Sequence, residues 1–255
     1  MADVYAVLAH VYKMAGLAEE SEQLRARLFE RVQSEGWLGR RILELGCGIG
    51  EASCWFALNG FRITAVDRSA EMLEQARQQA EALGVTVDWR QEDIRNLDVG
   101  TDYDLVLAMN TLNELHSIRE LEAVFQAANR ALAVGKLLLF DLVTIRGLAE
   151  QWGNRDRVLH DDPQALTLVV RSQFSFETFS NARSYLIFRR GGEQQWQRLD
   201  GSHVIRGFAL QAVGTLLQRT GFKVQNVLNA NFASFDPNDD QTGHAIFIVA
   251  KERDL

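Results

Sequence analysis

Ile42-Leu43-Glu44-Leu45-Gly46-Cys47-Gly48-Ile49-Gly50 is the stretch on which the reading of this chain turns. A short apolar run ends in three glycines spaced two apart, and residues 52–59 that follow have the length and composition of a helix. Strand, glycine turn and helix in that order open a parallel sheet with crossover helices. Glycine lets the chain turn sharply and lets a ligand approach the main chain with no Cβ in the way. In a doubly wound sheet such a turn lies at the carboxyl end of the first strand, where ligands bind. Tight strand-to-helix turns also use glycine for structural reasons alone, so the turn needs support from elsewhere in the chain.

The spacing excludes the common phosphate loops. A dinucleotide fingerprint counted from Gly46 requires glycines at 48 and 51, and position 51 is Glu. A carboxylate at that helix start repels a pyrophosphate, and no Gly-Lys-Ser/Thr follows, so NAD and ATP are disfavoured. Glu44 places a further acid in the floor of the crevice. A cationic ligand without phosphate is expected.

Outward from the turn, further apolar runs at 63–66, 85–89, 105–109 and 137–140 alternate with helical segments at 70–83 and 118–132. Residues 3–33 read as helices. The stretch 142–164 reads as an irregular connection containing Pro163. Period 2 then places Leu166, Leu168, Val170, Phe174 and Phe176 on one face, with more strand-like runs at 185–188, 196–199 and 203–208 and a hairpin signal at Gly191-Gly192. A helix at 210–220 and strands at 222–228 and 245–250 close the chain. The expected fold is α/β, a Rossmann-like sheet of seven strands, five parallel plus a C-terminal pair, flanked by helices and carrying an inserted antiparallel β lid. The expected divisions are a helical cap at 1–40, a core at 41–141 and 209–255, and a lid at 142–208.

The 255 residues carry 27 Lys plus Arg against 34 Asp plus Glu, a net charge of -7 that repels nucleic-acid phosphates. The two cysteines, Cys47 and Cys54, lie too close in one local unit to build a disulfide framework, which fits a reducing compartment. No basic leader and no apolar run of membrane-spanning length is evident, so a cytoplasmic protein without a membrane partner is expected. His10, His116, His160 and His244 are scattered without metal-ligand spacing, and no metal is expected. A homodimer is compatible with these features.

Glu44 to Gly50 resembles the first motif of class I S-adenosylmethionine-dependent methyltransferases, small-molecule type. That resemblance implies S-adenosylmethionine as cofactor and S-adenosylhomocysteine as product, with Gly46, Cys47, Gly48 and Gly50 in the cofactor loop. It implies that Asp67, with Arg68 beside it, accepts the ribose hydroxyls, although Asp67 or Ser69 also fits a helix cap. Asp93 and Ile94 inherit the adenine contacts by the same likeness, the other reading of Asp93 being a turn cap. Met109 would pack near the cofactor, and Asn110 and Asn113 would face the reacting methyl. Tyr12, more than Tyr5, is similar to a cap tyrosine that reaches the cofactor carboxylate.

On the acceptor side, Gly201-Ser202-His203-Val204-Ile205-Arg206 is similar to a His-x-x-Arg stretch in lids of small-molecule methyltransferases. It makes His203 and Asn113 the candidate catalytic residues and Asn110, Asn113, His116 and Arg206 the candidate substrate contacts, with Arg206 anchoring a carboxylate. A buried His203 bonded to the main chain and an Arg206 that stabilises the lid are equally open. The expected reaction is in-line methyl transfer to N or O of a small molecule. The alternatives are a non-catalytic S-adenosylmethionine-binding or sensor module, then a nicotinamide-dependent reductase.

Overall fold

The computed structural model describes residues 4–34, 36–191, 195–235 and 242–255. Seven strands form the central sheet: β1 (Arg41–Leu45), β2 (Arg62–Asp67), β3 (Asp88–Gln91), β4 (Tyr103–Ala108), β5 (Leu132–Val143), β10 (Phe222–Asn229) and β11 (His244–Lys251). Their order is β10-β11-β5-β4-β1-β2-β3. β1 to β5 run parallel, and β11 is antiparallel to both neighbours. The strand order reverses on either side of β1, so the loops after β1 and β4 splay apart and leave a crevice at their carboxyl ends.

Two apolar layers hold this sheet. On one face, α5 (Ile118–Ala131) and α7 (Leu210–Arg219) pack Leu121, Phe125, Val213 and Leu217 against Leu43, Val106, Phe140 and Phe247. On the other, α2 (Glu19–Ser34), α3 (Glu51–Leu58) and α4 (Ala70–Leu83) bring Leu28, Phe56 and Leu73 onto Ile42, Ala65 and Leu107. A strand buried on both faces needs no alternation, which is why β1 and β4 read as continuous apolar runs.

The second sheet, in order β6-β7-β8-β9, is antiparallel: β6 (Arg155–Asp162), β7 (Leu166–Ser175), β8 (Ser180–Arg190) and β9 (Trp196–Arg206). Leu166, Leu168 and Val170 of β7 are fully buried, as their alternation requires, whereas Phe176 lies beyond the strand and is 73% exposed. This inner face packs on Val4, Leu8 and Val11 of the N-terminal segment, which rests in turn on Ile49 and Met72 of the core. The N-terminal segment is therefore the middle layer between the lid and the cofactor-loop region.

Several boundaries differ from the sequence reading. β3 begins at Asp88, not at 85, because Gly84 closes α4 in a left-handed conformation and the Val85 amide is spent on the Ala80 carbonyl. β6 occupies part of the stretch read as irregular. It is an edge strand held by main-chain bonds to β7, so its polar sequence shows no apolar alternation. The runs at 196–199 and 203–208 are one strand up to Arg206, passing through Gly201, where a Cβ would come within 3.1 Å of Val4. Where 3–33 reads as helices, the described residues form α1 (Val4–Leu8), a turn-rich stretch and then α2. A single turn, α6 (Ile145–Gly147), leads from β5 toward the lid. Arg190 and Trp196 face each other where the hairpin was expected, and Gly192 lies outside the described residues.

Candidate active site

The glycine turn is pinned before any ligand is considered. The Gly46 and Cys47 amides both donate to the Val66 carbonyl, at 2.8 and 3.0 Å, and the Gly48 amide donates to Asp67 Oδ2 at 2.8 Å. Gly46 has φ +69°, and a side chain there would collide with Thr111. Gly50 has φ +77° and its missing Cβ faces the Trp89 ring at 2.5 Å. Gly50 thus packs against Trp89 and stands outside the cavity lining. Asp67 Oδ1 accepts from the Ser69 amide at 2.9 Å, while Ser69 itself caps α4 by accepting from the Met72 amide. The cap and the acid are separate residues, and the two-oxygen carboxylate keeps acceptor capacity for a diol.

Around this turn lies a cavity of about 370 Å³, within the range of roughly 300–1,000 Å³ that holds a cofactor-sized ligand. Of the expected cofactor residues, Tyr12, Glu44, Gly46, Cys47, Gly48, Asp67, Arg68, Asp93, Ile94, Met109 and Asn110 line it. Arg25, Thr111 and Glu114, which the sequence does not assign to the cofactor or acceptor, line it as well, as does Tyr5, the second candidate for the cofactor carboxylate. Seven carboxyl groups (Glu44, Glu51, Asp67, Glu92, Asp93, Glu114, Glu120) face three guanidinium groups (Arg25, Arg68, Arg95) across the lining. Such a wall favours a cationic ligand and disfavours a polyphosphate.

Individual groups are tuned by their surroundings. Burial pushes the Glu44 carboxyl up to about 7, with the Ser53 hydroxyl and Arg25 acting against that rise. Burial beside Glu44 and Asp67 pushes the Cys47 thiol up, which makes it a packing group and not a nucleophile. Asp93 caps the turn Ile94–Asn96 through the Arg95 amide at 2.9 Å, and its carboxylate lies against the Arg95 guanidinium, which holds it below the usual range. Asn110 has φ +52°, a left-handed conformation uncommon outside glycine, and its amide donates to buried Asp141 Oδ1 at 2.6 Å. Asp141 Oδ2 is in turn 2.6 Å from His244 Nε2.

Cap, core and lid meet at Glu114. The Tyr5 hydroxyl donates to Glu114 Oε1 at 2.6 Å, and His203 Nδ1 of β9 lies 3.0 Å from the same oxygen. The other ring nitrogen of His203 is 3.2 Å from the Tyr185 hydroxyl. Burial opposes ionisation of Glu114, yet the His203 hydrogen bond and charge, aided by Tyr5, hold its carboxyl below the usual value. Burial also pushes the Tyr5 and Tyr12 hydroxyls up, so both act as neutral donors. Glu114 was visible in the sequence only as one more polar residue after β4. Its partners stand 109 and 89 positions away, and no local signal marks it.

Of the acceptor-side candidates, Asn110 and His116 line the cavity and Asn113, His203 and Arg206 do not. Asn113 does not line the cavity: its Nδ2 donates to the Val143 and Arg206 carbonyls at 3.0 and 2.7 Å, and its Oδ1 accepts from the Val143 amide at 2.8 Å. It clamps β5 to β9, with both Nδ2 hydrogens and one acceptor site of Oδ1 engaged. Arg206 is likewise outside the lining, its Nη1 donating to the His116 carbonyl at 3.0 Å. His203 stands behind Glu114 rather than on the cavity wall, while His116 is on the wall and exposed.

With this geometry, residues 42–135 match a family model described as a methyltransferase domain. A relative from Geobacillus sp. (strain WCH70), which carries a methyltransferase name without a stated acceptor, is 27% identical over 84% of this chain and 85% of its own length. Residues 42–135 are a methyltransferase domain on the fold of the S-adenosylmethionine-dependent methyltransferases. The ubiquinone biosynthesis O-methyltransferase of Pectobacterium atrosepticum is 33% identical over 47% of this chain and 48% of its own length. An S-adenosylmethionine-dependent methyltransferase structure from Clostridium acetobutylicum superposes with a TM-score of 0.83 at 21% identity, covering 97% of this chain and 99% of that one. The sugar N-methyltransferase KedS8 of Streptoalloteichus sp. superposes with a TM-score of 0.68 at 18% identity, over 90% and 86% of the two chains. At these identities the superpositions establish the shared fold. Among the described residues, no helix is long and apolar enough to cross a membrane.

Two outcomes follow from the titrating groups of this methyltransferase. Glu44 is ordinary at 4.5 and about 7 when folded, so the unfolded chain ionises first and stability falls as pH rises through that window. Glu44→Gln is therefore expected to gain in urea midpoint relative to wild type between about pH 4 and pH 8, and an unchanged difference contradicts the assignment. Glu114 has the opposite sign. Its depressed folded value supplies stability above about pH 4.5 that fades as pH falls through the folded value. Glu114→Gln should show its larger deficit near neutrality and a smaller one near about pH 3, and equal deficits at both would count against the joint.

Proposed function

We propose that this methyltransferase transfers its methyl group to a nitrogen or oxygen of a small molecule by in-line displacement. The observation that carries the reading is the acid-rich cavity at the carboxyl ends of β1 and β4, bordered by the bare main chain of the glycine turn. Its volume and its excess of carboxyl groups fit a positively charged nucleoside that lacks phosphate. When bound, S-adenosylmethionine supplies a methyl group already activated on a sulfonium.

The chain's own residues then bind and orient. Asp67, fixed by the Gly48 and Ser69 amides, accepts the ribose hydroxyls. Ile94 and Met109 would hold the purine, and Asp93 would accept from its amino group. Glu44 and the Gly46 to Gly48 main chain hold the α-amino end, and a cation there draws Glu44 back to its ionised form. Tyr12, a neutral donor, serves the carboxylate, with Arg68 beside it. Asn110, held in its left-handed turn by Asp141, borders the transfer space together with His116.

Positioning and exclusion of water supply most of the acceleration, because the displacement needs no strong base when a neutral amine attacks. For a hydroxyl acceptor, Tyr5 at the wall and Glu114 with His203 behind it offer a route for the released proton. His203 acts in that reading through Glu114. The O- and N-methyltransferase names of the relatives support both acceptor atoms.

Calorimetry with S-adenosylhomocysteine tests the cofactor half of this reading. Saturable binding is expected in the wild type, with a loss of at least about tenfold in Asp67→Ala, equivalent to about 1.4 kcal/mol. Absence of binding at millimolar ligand, or an Asp67→Ala protein that binds as tightly as wild type, overturns these residue roles.

A further inference from the structure

The cavity wall at Glu114 is backed by a series of side chains that runs into the lid. Strand alternation puts Arg183 and Tyr185 on one face of β8, and the register of β8 and β9 sets His203 directly opposite Arg183. Arg183 is held over the Trp152 ring, with Cζ 3.6 Å from its centroid, and donates to the Tyr185 hydroxyl oxygen. That hydroxyl is 3.2 Å from His203 Nε2, and His203 Nδ1 is 3.0 Å from Glu114 Oε1. Arg183, Tyr185, His203 and Glu114 thus follow one another without a break, and of these Glu114 alone lines the cavity.

The far end of the series fixes the direction of every hydrogen bond in it. A guanidinium donates, accepts nothing and keeps its charge. The Tyr185 oxygen is therefore the acceptor in its bond to Arg183, and the hydroxyl proton needs an acceptor of its own. Tyr185 is buried, burial pushes its hydroxyl up, and His203 Nε2 is the partner of that hydroxyl on the other side. Since Nε2 accepts, the ring proton sits on Nδ1, where it meets Glu114. The opposite arrangement is an imidazolium whose Nε2–H points at Tyr185. It aims two cations at one hydroxyl oxygen and leaves the hydroxyl proton unpaired in a buried place, which costs about 1–3 kcal/mol. Glu114 favours that imidazolium by its charge, and Arg183 at the other end disfavours it. The positive charge of His203 bears on Glu114 once the ring takes a second proton, at the expense of the Tyr185 bond.

We infer that Arg183 and Tyr185 are positioning residues of this methyltransferase: they hold His203 as a neutral imidazole with its proton on Nδ1, and thereby hold Glu114 as the carboxylate that takes the acceptor's proton. The inference rests on the proton route of the proposed function and gives that route an end point. When an acceptor hydroxyl attacks, its oxygen gains the bond to the methyl carbon. The carbon–sulfur bond breaks with its electron pair left on sulfur, and the hydroxyl proton passes to Glu114. The proton goes no further, because Nδ1 already carries one and the series ends on a guanidinium that cannot accept another. His203 acts here as a donor that orients Glu114. The buried charge of Arg183 is answered by Glu114 across two neutral side chains.

The test is the imidazole ¹⁵N spectrum of the whole chain saturated with S-adenosylhomocysteine at about pH 7, with His203 assigned by the loss of its resonances in His203→Gln. Wild type is expected to show a protonated Nδ1 and an unprotonated Nε2. Tyr185→Phe removes the donor to Nε2, and Arg183→Met frees the hydroxyl to accept, so both should draw the two nitrogen shifts together. Arg183→Lys, again a donor that accepts nothing, should keep the wild-type pattern. A purely structural role for Arg183 predicts no such difference between Arg183→Met and Arg183→Lys. The Glu114 Cδ resonance, assigned by its loss in Glu114→Gln, should be that of a carboxylate. Wild-type His203 with its proton on Nε2 or on both nitrogens overturns the inference, as does a neutral carboxyl at Glu114 or a Tyr185→Phe spectrum like that of wild type. The wild-type spectrum decides even where a variant fails to fold. Calorimetry with S-adenosylhomocysteine on the same samples keeps the two readings apart. Absence of binding to wild type overturns the methyl-transfer reading, while binding together with an imidazolium at His203 overturns this inference alone.

Discussion

One carboxylate joins the three parts of this enzyme. Glu114 belongs to the loop after β4, Tyr5 to the N-terminal segment and His203 to the last strand of the lid, and each side chain meets the others only at Glu114 or across the Tyr5 and His203 rings. A buried acid of this kind is stable only while both partners stay in place, since losing either leaves charge uncompensated in a low-dielectric site. The same contact therefore seals the cavity and keeps its wall negative. The neighbouring clamps, Asn113 on Val143 and Arg206, and Arg206 on His116, hold the backbone around that joint.

Beneath it, the cofactor floor depends on a different kind of constraint. The glycine turn spends its amides on Val66 and Asp67, so the loop is rigid before binding and little ordering entropy remains to be lost on association. The acid excess has a stability cost that Glu44 makes explicit, because burial there disfavours the charge that a cationic ligand requires. Sites that give up stability for binding in this way are common among enzymes.

Much of this was legible in residues 42–110, where each constraint is local. A glycine that must turn, an acid that ends a strand and an apolar run buried on both faces leave marks within a few positions. The seven-stranded sheet and the antiparallel lid were readable for that reason. Asn113, Arg206 and Glu114 were not, because their contacts are set by partners on other segments, 30 to 109 positions away. An Asn after β4 looks the same whether it faces a methyl group or clamps two strands. Likewise, edge strand β6 hid among polar residues because pairing by main chain alone leaves no pattern in the side chains.

The cavity as a product of cap, core and lid is tested most directly by amide hydrogen exchange with and without S-adenosylhomocysteine. Residues 4–18 and 196–206 should gain protection together with the glycine turn at 44–50. Protection confined to the turn and the end of β2, with the cap and β9 exchanging as before, would contradict a site closed by all three.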